Sequence, residues 1–171
     1  IRDNQAEYRD KVLDRNLKWD TGNIARDVRS EAYGHSPALV LVGGTEDRRK
    51  AEFAKKLEQQ LFQQGNKVYY LGVQNVLAGL DADMTIKRHQ IYPEDREEMV
   101  RRLAELSNLL MDVGIILVAT VSNLTFDERE SFRASVSPIE VRTIWVGSNE
   151  GSNVDADYSI LNAAEASDHL E

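Results

Sequence analysis

The sequence predicts an α/β fold, a three-layer α/β/α domain with a mostly parallel sheet of about five strands. Apolar strand-like runs alternate along the chain with segments in which apolar residues recur at helical spacing. The run at residues 115–121 is almost entirely apolar, which is typical of a parallel strand covered on both faces. Helices lie between the strands, so the connections are expected to be right-handed crossovers.

The elements follow in this order. Residues 1–34 are predicted to form a helical lead-in, with helices over 1–18 and 24–33, and residues 35–171 form the main domain. A strand over 38–42 leads into a helix over 50–64, whose buried stripe is Phe53, Leu57 and Leu61 and whose C-cap is Gly65. The remaining predictions are a strand over 67–71, a short helix over 76–80, a long helix from Pro93 with its buried face at Met99, Leu103, Leu106 and Leu110, a strand over 115–121, a helix over 126–134, strands over 141–146 and 156–160, and a final helix.

Composition excludes several classes of function. The 171 residues are 42% hydrophobic and 29% charged, as in an ordinary globular domain, and no apolar run approaches the roughly 18 residues of a membrane span. A formal net charge of −8 argues against nucleic-acid binding. The chain has no cysteine, and its three histidines are widely spaced, so no metal site is predicted and a cytoplasmic location is expected.

The loop after the first predicted strand carries part of a phosphate-binding motif. A P-loop, G-x-x-x-x-G-K-[ST], wraps phosphates with backbone N–H groups and binds Mg²⁺ through its last hydroxyl. Gly44 and Lys50 occupy the first glycine and lysine positions, but Arg49 replaces the second glycine and Ala51 replaces the hydroxyl. A side chain at Arg49 obstructs close approach of the backbone to a phosphate. The sequence therefore predicts a P-loop-kinase-like fold with a degenerate phosphate site.

Further motifs occur in a fixed order along nearly the whole chain. They are Asn16 and Trp19 with Gly22, Asn23 and Arg26; Leu57, Glu58, Leu61 and Gly65; Asn75, Val76, Gly79, Leu80 and Asp83; Asp95, Arg96, Arg101, Arg102 and Glu105 with 112–114; and Ser122 with Arg129 and Arg133. This set resembles the adenylylsulfate (APS) kinase family, whose members use ATP to phosphorylate the 3′-hydroxyl of APS and form PAPS. The resemblance implies that Asn75, Arg96 and Ser122 bind substrate, and that Gly44, Arg48, Arg49 and Lys50 form the nucleotide loop.

The chain departs from the family at positions that carry the chemistry. The family's D-G-D-N-V-R segment corresponds to residues 72–77, which lack both carboxylates and end in Leu77 instead of arginine. A short loop after residue 146 stands where the family has a long basic lid. Phosphoryl transfer depends on positioning and on neutralising charge, so a loss of metal ligand, base and lid predicts a domain impaired as a kinase. We expect no catalytic residue and no cofactor, with ATP and Mg²⁺ possible only if the degenerate loop still binds.

The predicted role is regulatory or structural, within a larger sulfate-activation protein. The resemblance implies fusion to, or association with, ATP sulfurylase or its GTPase subunit, with this chain at the C-terminal end. It also allows a homodimer and APS or PAPS as ligands, without nucleic acid or membrane. One alternative is an active kinase in which Arg49 and Lys50 replace the metal and a partner chain supplies the lid. The other is a sensor that binds APS or PAPS without reacting and brings Arg96 and the Arg48–Lys50 cations together.

Simpler structural roles compete with these interpretations. Lys50 could be a solvated lysine in the first turn of a helix, beside the repelling carboxylates of Glu46 and Asp47. Arg96, Arg101 and Arg102 could pair with glutamates of their own helix. Ser122 could be a turn or cap residue at the end of a strand.

Overall fold

The computed structural model describes residues 2–20, 22–80, 93–121, 124–148 and 156–161. The helices are α1 (Arg2–Leu17), α2 (Arg26–Tyr33), α3 (Asp47–Gln63), α4 (Val73–Ala78), α5 (Pro93–Asp112) and α6 (Phe126–Val136). The strands are β1 (Ala38–Gly44), β2 (Val68–Leu71), β3 (Ile116–Thr120), β4 (Glu140–Val146) and β5 (Tyr158–Ile160).

The five strands form one parallel sheet in the order β2-β3-β1-β4-β5. In the centre of the sheet, β1 pairs with β3 and with β4, so that Ala38 lies opposite both Ile116 and Glu140. The carboxyl ends of β1, β3 and β4 consequently meet at one edge. The predicted α/β fold with a parallel sheet of about five strands is confirmed.

Apolar packing covers both faces of the sheet and defines the three layers. On one face Leu39 and Leu41 of β1 pack with buried residues of α5 and α6, including Met111 and Phe132. On the opposite face the core joins sheet residues to α3 and consists of Val42, Phe53, Ala54, Leu57, Val118 and Val146. The alternation of β1 side chains between the two clusters follows from the period-2 geometry of a strand.

Most predicted elements are confirmed, with shifted ends. Helix α3 begins at Asp47, three residues before the predicted start at Lys50, and α4 covers 73–78 instead of 76–80. The C-cap of α3 is Gln64, and the predicted C-cap Gly65 is the residue after it, with a φ of 91° and an N–H that donates to the carbonyl of Phe62. The predicted helix after β5 and residue Asp83 lie outside the described residues.

The N-terminal helices are attached to the main domain by polar contacts and close packing. Arg15 of α1 donates to Glu105 of α5 at 2.8 Å and to the carbonyl of Ser135 in α6 at 2.8 Å. Gly114 lies so close to α2 that an added Cβ would stand 2.9 Å from the Cβ of Arg29. Among the described helices, none combines the length and apolar character required to cross a membrane.

Candidate functional site

Gly44 is the last residue of β1, and its glycine identity has a packing cause. A Cβ built on Gly44 would run into the backbone oxygen of Val146 in the neighbouring strand β4. Its φ of 156° is also one that residues with side chains rarely adopt. Contact between two strands therefore accounts for this glycine without any phosphate.

The predicted phosphate loop is largely part of α3. Only Thr45 and Glu46 separate β1 from α3, and the N–H of Lys50 donates to the carbonyl of Glu46 at 3.1 Å. A P-loop needs backbone N–H groups that point at the ligand, whereas this one closes a helical turn. Our expectation that the helix begins at Lys50 is therefore wrong.

The sequence explains why α3 begins before Lys50. Arg49 favours helix where the motif has glycine. Ion pairs support the turn: Arg49 lies 3.0 Å from Glu46, and Arg48 lies 2.8 Å from Glu52. Asp47 in the first turn also suits the positive end of the helix dipole.

Lys50 is buried, and its ammonium is bonded within the protein. Only 3% of its side chain is exposed, and Nζ donates to the carbonyl of Val121 at 3.1 Å. Nζ also lies 2.7 Å from Oδ1 of Asp47. The interpretation of Lys50 as a solvated lysine is therefore wrong; this lysine joins α3 to the residue that follows β3.

The loop differs from a P-loop in the groups that it offers to Mg²⁺ and to a nucleoside triphosphate. Ala51 offers no hydroxyl, and the carboxylates of Glu46 and Asp47 stand beside the cations that a phosphate would need. Within the described ranges, no three His, Asp or Glu residues are grouped so as to hold a metal ion. The arrangement is the first turn of a helix with ion pairs between residues three positions apart.

The described residues predicted to bind substrate lie on different elements of the fold. Asn75 is exposed on α4, while Arg96 of α5 binds Glu128 of α6 through Nε at 2.6 Å and Nη2 at 2.9 Å. Ser122 lies outside the described residues. The predicted pairing of Arg101 and Arg102 within their own helix is confirmed, since both bind Glu98. Arg96, in contrast, forms its ion pair with Glu128 of a different helix, α6.

Glu128 performs two structural tasks. It is the N3 residue of a capping box with Thr125, whose hydroxyl accepts from the N–H of Glu128 at 3.2 Å. Burial by itself would raise the pKa of Glu128, but hydrogen bonds from Arg96 and from the backbone of Thr125 hold this pKa below its ordinary value. Glu128 thus links α5 to the beginning of α6 as a carboxylate.

Acid should weaken the domain through this carboxylate. Because the pKa of Glu128 is lower in the folded state, its contribution is present above the ordinary glutamate pKa and lost as pH falls through the folded value. Glu98 acts in the same sense, since the hydrogen bond from Arg101 is the main cause that lowers its pKa to about 2. We expect the urea midpoint to fall between about pH 5 and pH 2, and Glu128→Gln to reduce that slope. An unchanged slope in Glu128→Gln would contradict the assignment.

Lys50 should be important for stability. Lys50→Met keeps most of the buried stem and removes the hydrogen bond to Val121, so we expect a loss of about 1–3 kcal/mol of unfolding free energy. Arg48→Met on the same helix is the control, because the Arg48 side chain is 90% exposed; its loss should stay within about 0.5 kcal/mol. Equal effects in urea titrations would show that the Lys50 contacts do not stabilise the fold.

Sequence reasoning missed two features near this edge of the sheet. The capping box was visible as Thr125 followed three residues later by Glu128. Arg129 was noted only as part of a motif, yet it is buried, with 7% of its surface exposed. No local pattern distinguishes a buried arginine from an exposed one.

The parallel sheet, the strand order and the lysine in the first turn of α3 define a P-loop-kinase-like α/β protein. The family model for adenylylsulphate kinase matches residues 36–161. The chain therefore belongs to the adenylyl-sulfate kinase family. An adenylyl-sulfate kinase of Shewanella baltica is 32% identical over 119 residues, covering 70% of this chain and 56% of that relative.

Solved structures agree on the fold. A mutant of the Mycobacterium tuberculosis APS kinase CysC superposes with a TM-score of 0.62 at 22% identity, over 73% of this chain and 85% of that one. A hexameric APS kinase from Thiobacillus denitrificans superposes with a TM-score of 0.60 at 18% identity, over 77% of this chain and 27% of that one. The chain spans 60% of the length of one curated relative and 56% of another.

Proposed function

We propose that this domain is an adenylyl-sulfate kinase fold that has lost phosphoryl transfer and has a regulatory or structural role in sulfate activation. The observation that carries the proposal is the state of Lys50: buried, bonded to Val121 and paired with Asp47. Through its hydrogen bond to Val121, Lys50 connects α3 to the residue that follows β3.

The absence of the phosphate-binding backbone, the metal ligand and the lid should together lower the rate of phosphoryl transfer. Phosphoryl transfer gains little from covalent chemistry and almost everything from positioning and charge neutralisation. A helical first turn uses the N–H of Lys50, Ala51 offers no metal ligand, and only residues 147–157 connect β4 to β5. Because one electrostatic donor can be worth roughly 10²–10³ in rate, several losses should reduce turnover far below that of an intact enzyme.

The test is a PAPS-formation assay with ATP, Mg²⁺ and APS. The Shewanella baltica kinase, assayed at the same protein concentration, serves as the positive control. We expect a rate at least about 10³-fold below that of the control, from protein that still unfolds cooperatively on heating. A rate within tenfold of the control would overturn the proposal.

An active kinase with a rearranged site is the second candidate, and the names of the relatives favour it, because they are described as adenylyl-sulfate kinases. This candidate requires Lys50 to leave Val121 and Asp47 when ATP binds. It predicts PAPS formation by the parent protein and none by Lys50→Met. Equal PAPS formation by the parent protein and by Lys50→Met would rule out this candidate, because its mechanism depends on Lys50.

Ligand-dependent stability separates a sensor from a scaffold. A ligand that binds only the folded state adds about 2.7 kcal/mol at 100 times its Kd, which moves the melting temperature by several degrees. A shift with APS or PAPS, without one for ATP and Mg²⁺, would support a sensor. The scaffold predicts no shift with any of them.

The remaining expectations concern setting and partners. We propose a cytoplasmic protein that works fused to, or beside, ATP sulfurylase or its GTPase subunit, with APS or PAPS as possible ligands. Self-association is also proposed, supported by the hexamer named for the Thiobacillus denitrificans kinase. Sedimentation of the domain alone tests self-association, and co-purification with ATP sulfurylase tests the partner.

A further inference from the structure

A small, half-open cavity lies at the carboxyl edge of the sheet, between β1, β4 and the start of α6. Its volume is about 30 Å³. The described wall is formed by Leu41, Gly43, Val121, Leu124, Arg129, Thr143, Ile144, Trp145 and Ala156. Neither Lys50 nor Arg96 is among the described residues of that wall, although Gly43 directly precedes Gly44 and the carbonyl of Val121 accepts the hydrogen bond from Lys50. Ligands of parallel α/β proteins bind beyond the carboxyl ends of the strands, which makes the position favourable.

One cation in this wall, Arg129, has a buried donor atom without an acceptor among the described residues. Only 7% of the surface of Arg129 is exposed. The donor atom without an acceptor is its Nε. The guanidinium carbon lies 5.8 Å from the ring centroid of Phe126, which provides an aromatic contact and no acceptor.

Neighbouring carboxylates are engaged with other groups. Glu128 binds Arg96, and Glu130 binds Arg133 at 2.9 Å. Asp157 accepts two hydrogen bonds from Thr143, at 2.6 and 2.7 Å. No ion pair joins Arg129 to any of these three carboxylates in the part of the chain that the structure describes.

The chemistry of the cavity selects its ligand. A buried charge is costly unless a group of opposite charge pairs with it. A guanidinium presents several N–H donors in a plane, a geometry that matches the oxygens of sulfate, phosphate or carboxylate. The cavity has room for about two water-sized spheres, enough for a group of a few heavy atoms and too little for a nucleoside. Apart from Thr143, the other described side chains of the wall, such as Trp145 and Leu124, are apolar, and apolar surroundings strengthen a charge pair.

We propose that Arg129 binds a small oxyanion in this cavity. The oxyanion is sulfate, phosphate or the terminal oxyanion group of a larger molecule that enters through the open side. The site goes beyond the proposed function, because its cation belongs to α6 and not to the loop at residues 44–51, and because it involves no phosphoryl transfer. Activity or inactivity of the domain as a kinase leaves the inference standing.

Trp145 offers a direct reporter. Trp19→Phe removes the other tryptophan of the chain, so that fluorescence then reports on the cavity wall alone. Sodium sulfate and sodium phosphate are titrated separately into this protein at constant ionic strength. The expected result is a saturable change in Trp145 emission. Sulfate also stabilises proteins in general, so saturation and the variants below decide the outcome.

Two arginines of α6 make a matched pair of variants. In the Trp19→Phe background, Arg129→Met should weaken the apparent affinity at least about tenfold, because it removes a charge-assisted hydrogen bond. Arg133→Met should leave the affinity unchanged, since Arg133 pairs with Glu130 and Asp157. If Arg129→Met does not fold, Arg129→Lys keeps the charge without the planar donors, and a several-fold loss is expected.

Adenosine 5′-monophosphate identifies the source of the oxyanion. If it displaces sulfate with higher affinity than inorganic phosphate does, the site holds the phosphate of a larger molecule; if it fails to displace sulfate, the site holds the free ion. Both outcomes support the site. No saturable response to any of the three, or an equal response in Arg129→Met, would overturn the proposal.

Discussion

Phe53→Ala should remove about 3–5 kcal/mol of unfolding free energy, the usual cost of emptying a buried phenylalanine site. Phe53 is 2% exposed and lies in the cluster that joins α3 to the sheet through Val42, Val118 and Val146. The same packing positions the first turn of α3 beside β1. A loss of this size is a large share of the 5–15 kcal/mol that typically stabilises a domain. Urea unfolding at constant m-value is the measurement.

The control for this prediction lies on the same helix. Phe62 is 68% exposed, so Phe62→Ala makes the identical chemical change without leaving a cavity, and its effect should stay within about 0.5 kcal/mol. Similar losses for the two variants would mean that α3 does not face the sheet through Phe53. The comparison also removes helix propensity as an explanation, because both sites receive alanine.

Gly44→Ala should cost about 3 kcal/mol, because strain at a positive φ adds to overlap with a backbone atom. The added Cβ meets the carbonyl oxygen of Val146, which belongs to the paired strand β4 and cannot turn aside as a side chain could. The variant should be less stable both with and without nucleotides, and thermal or urea unfolding measures the loss.

Gly65→Ala isolates the conformational part of that cost. Gly65 also has a positive φ, of 91°, but an added Cβ would meet no atom within 4 Å. Its loss should be about 1 kcal/mol. A loss in Gly44→Ala no greater than that in Gly65→Ala would show that the contact with β4 is not tight. The glycine of the degenerate motif would then need another explanation.

Local patterns predicted the elements well where periodicity was long. The buried stripe of α3 and the apolar run around β3 were visible in the sequence, because each reports which face of an element meets the core. The ends were less certain: α3 begins at Asp47 instead of Lys50, and ion pairs such as that between Arg49 and Glu46 support this earlier first turn. Alignment to the P-loop motif assigns residues 47–49 to a loop, and it contains no information on whether they are helical instead.

The site was only partly predictable. The sequence identified the substitutions at Arg49 and Ala51, which carry the argument against an intact phosphate site. The partners of Lys50 and Arg96 were not predictable, because Val121 and Glu128 are distant in sequence. The orphan donor of Arg129 was hidden for the same reason.

By itself, the sequence determined the fold class, the family resemblance and the substitutions at positions of the phosphate motif, since residue types and their order express all three. Tertiary structure alone decided that Lys50 is buried, that Gly44 is a packing glycine and that Arg129 faces a small cavity. The physical reason is that burial and pairing depend on which strands and helices become neighbours. In a parallel sheet those neighbours are distant in sequence, as β1, β3 and β4 are here.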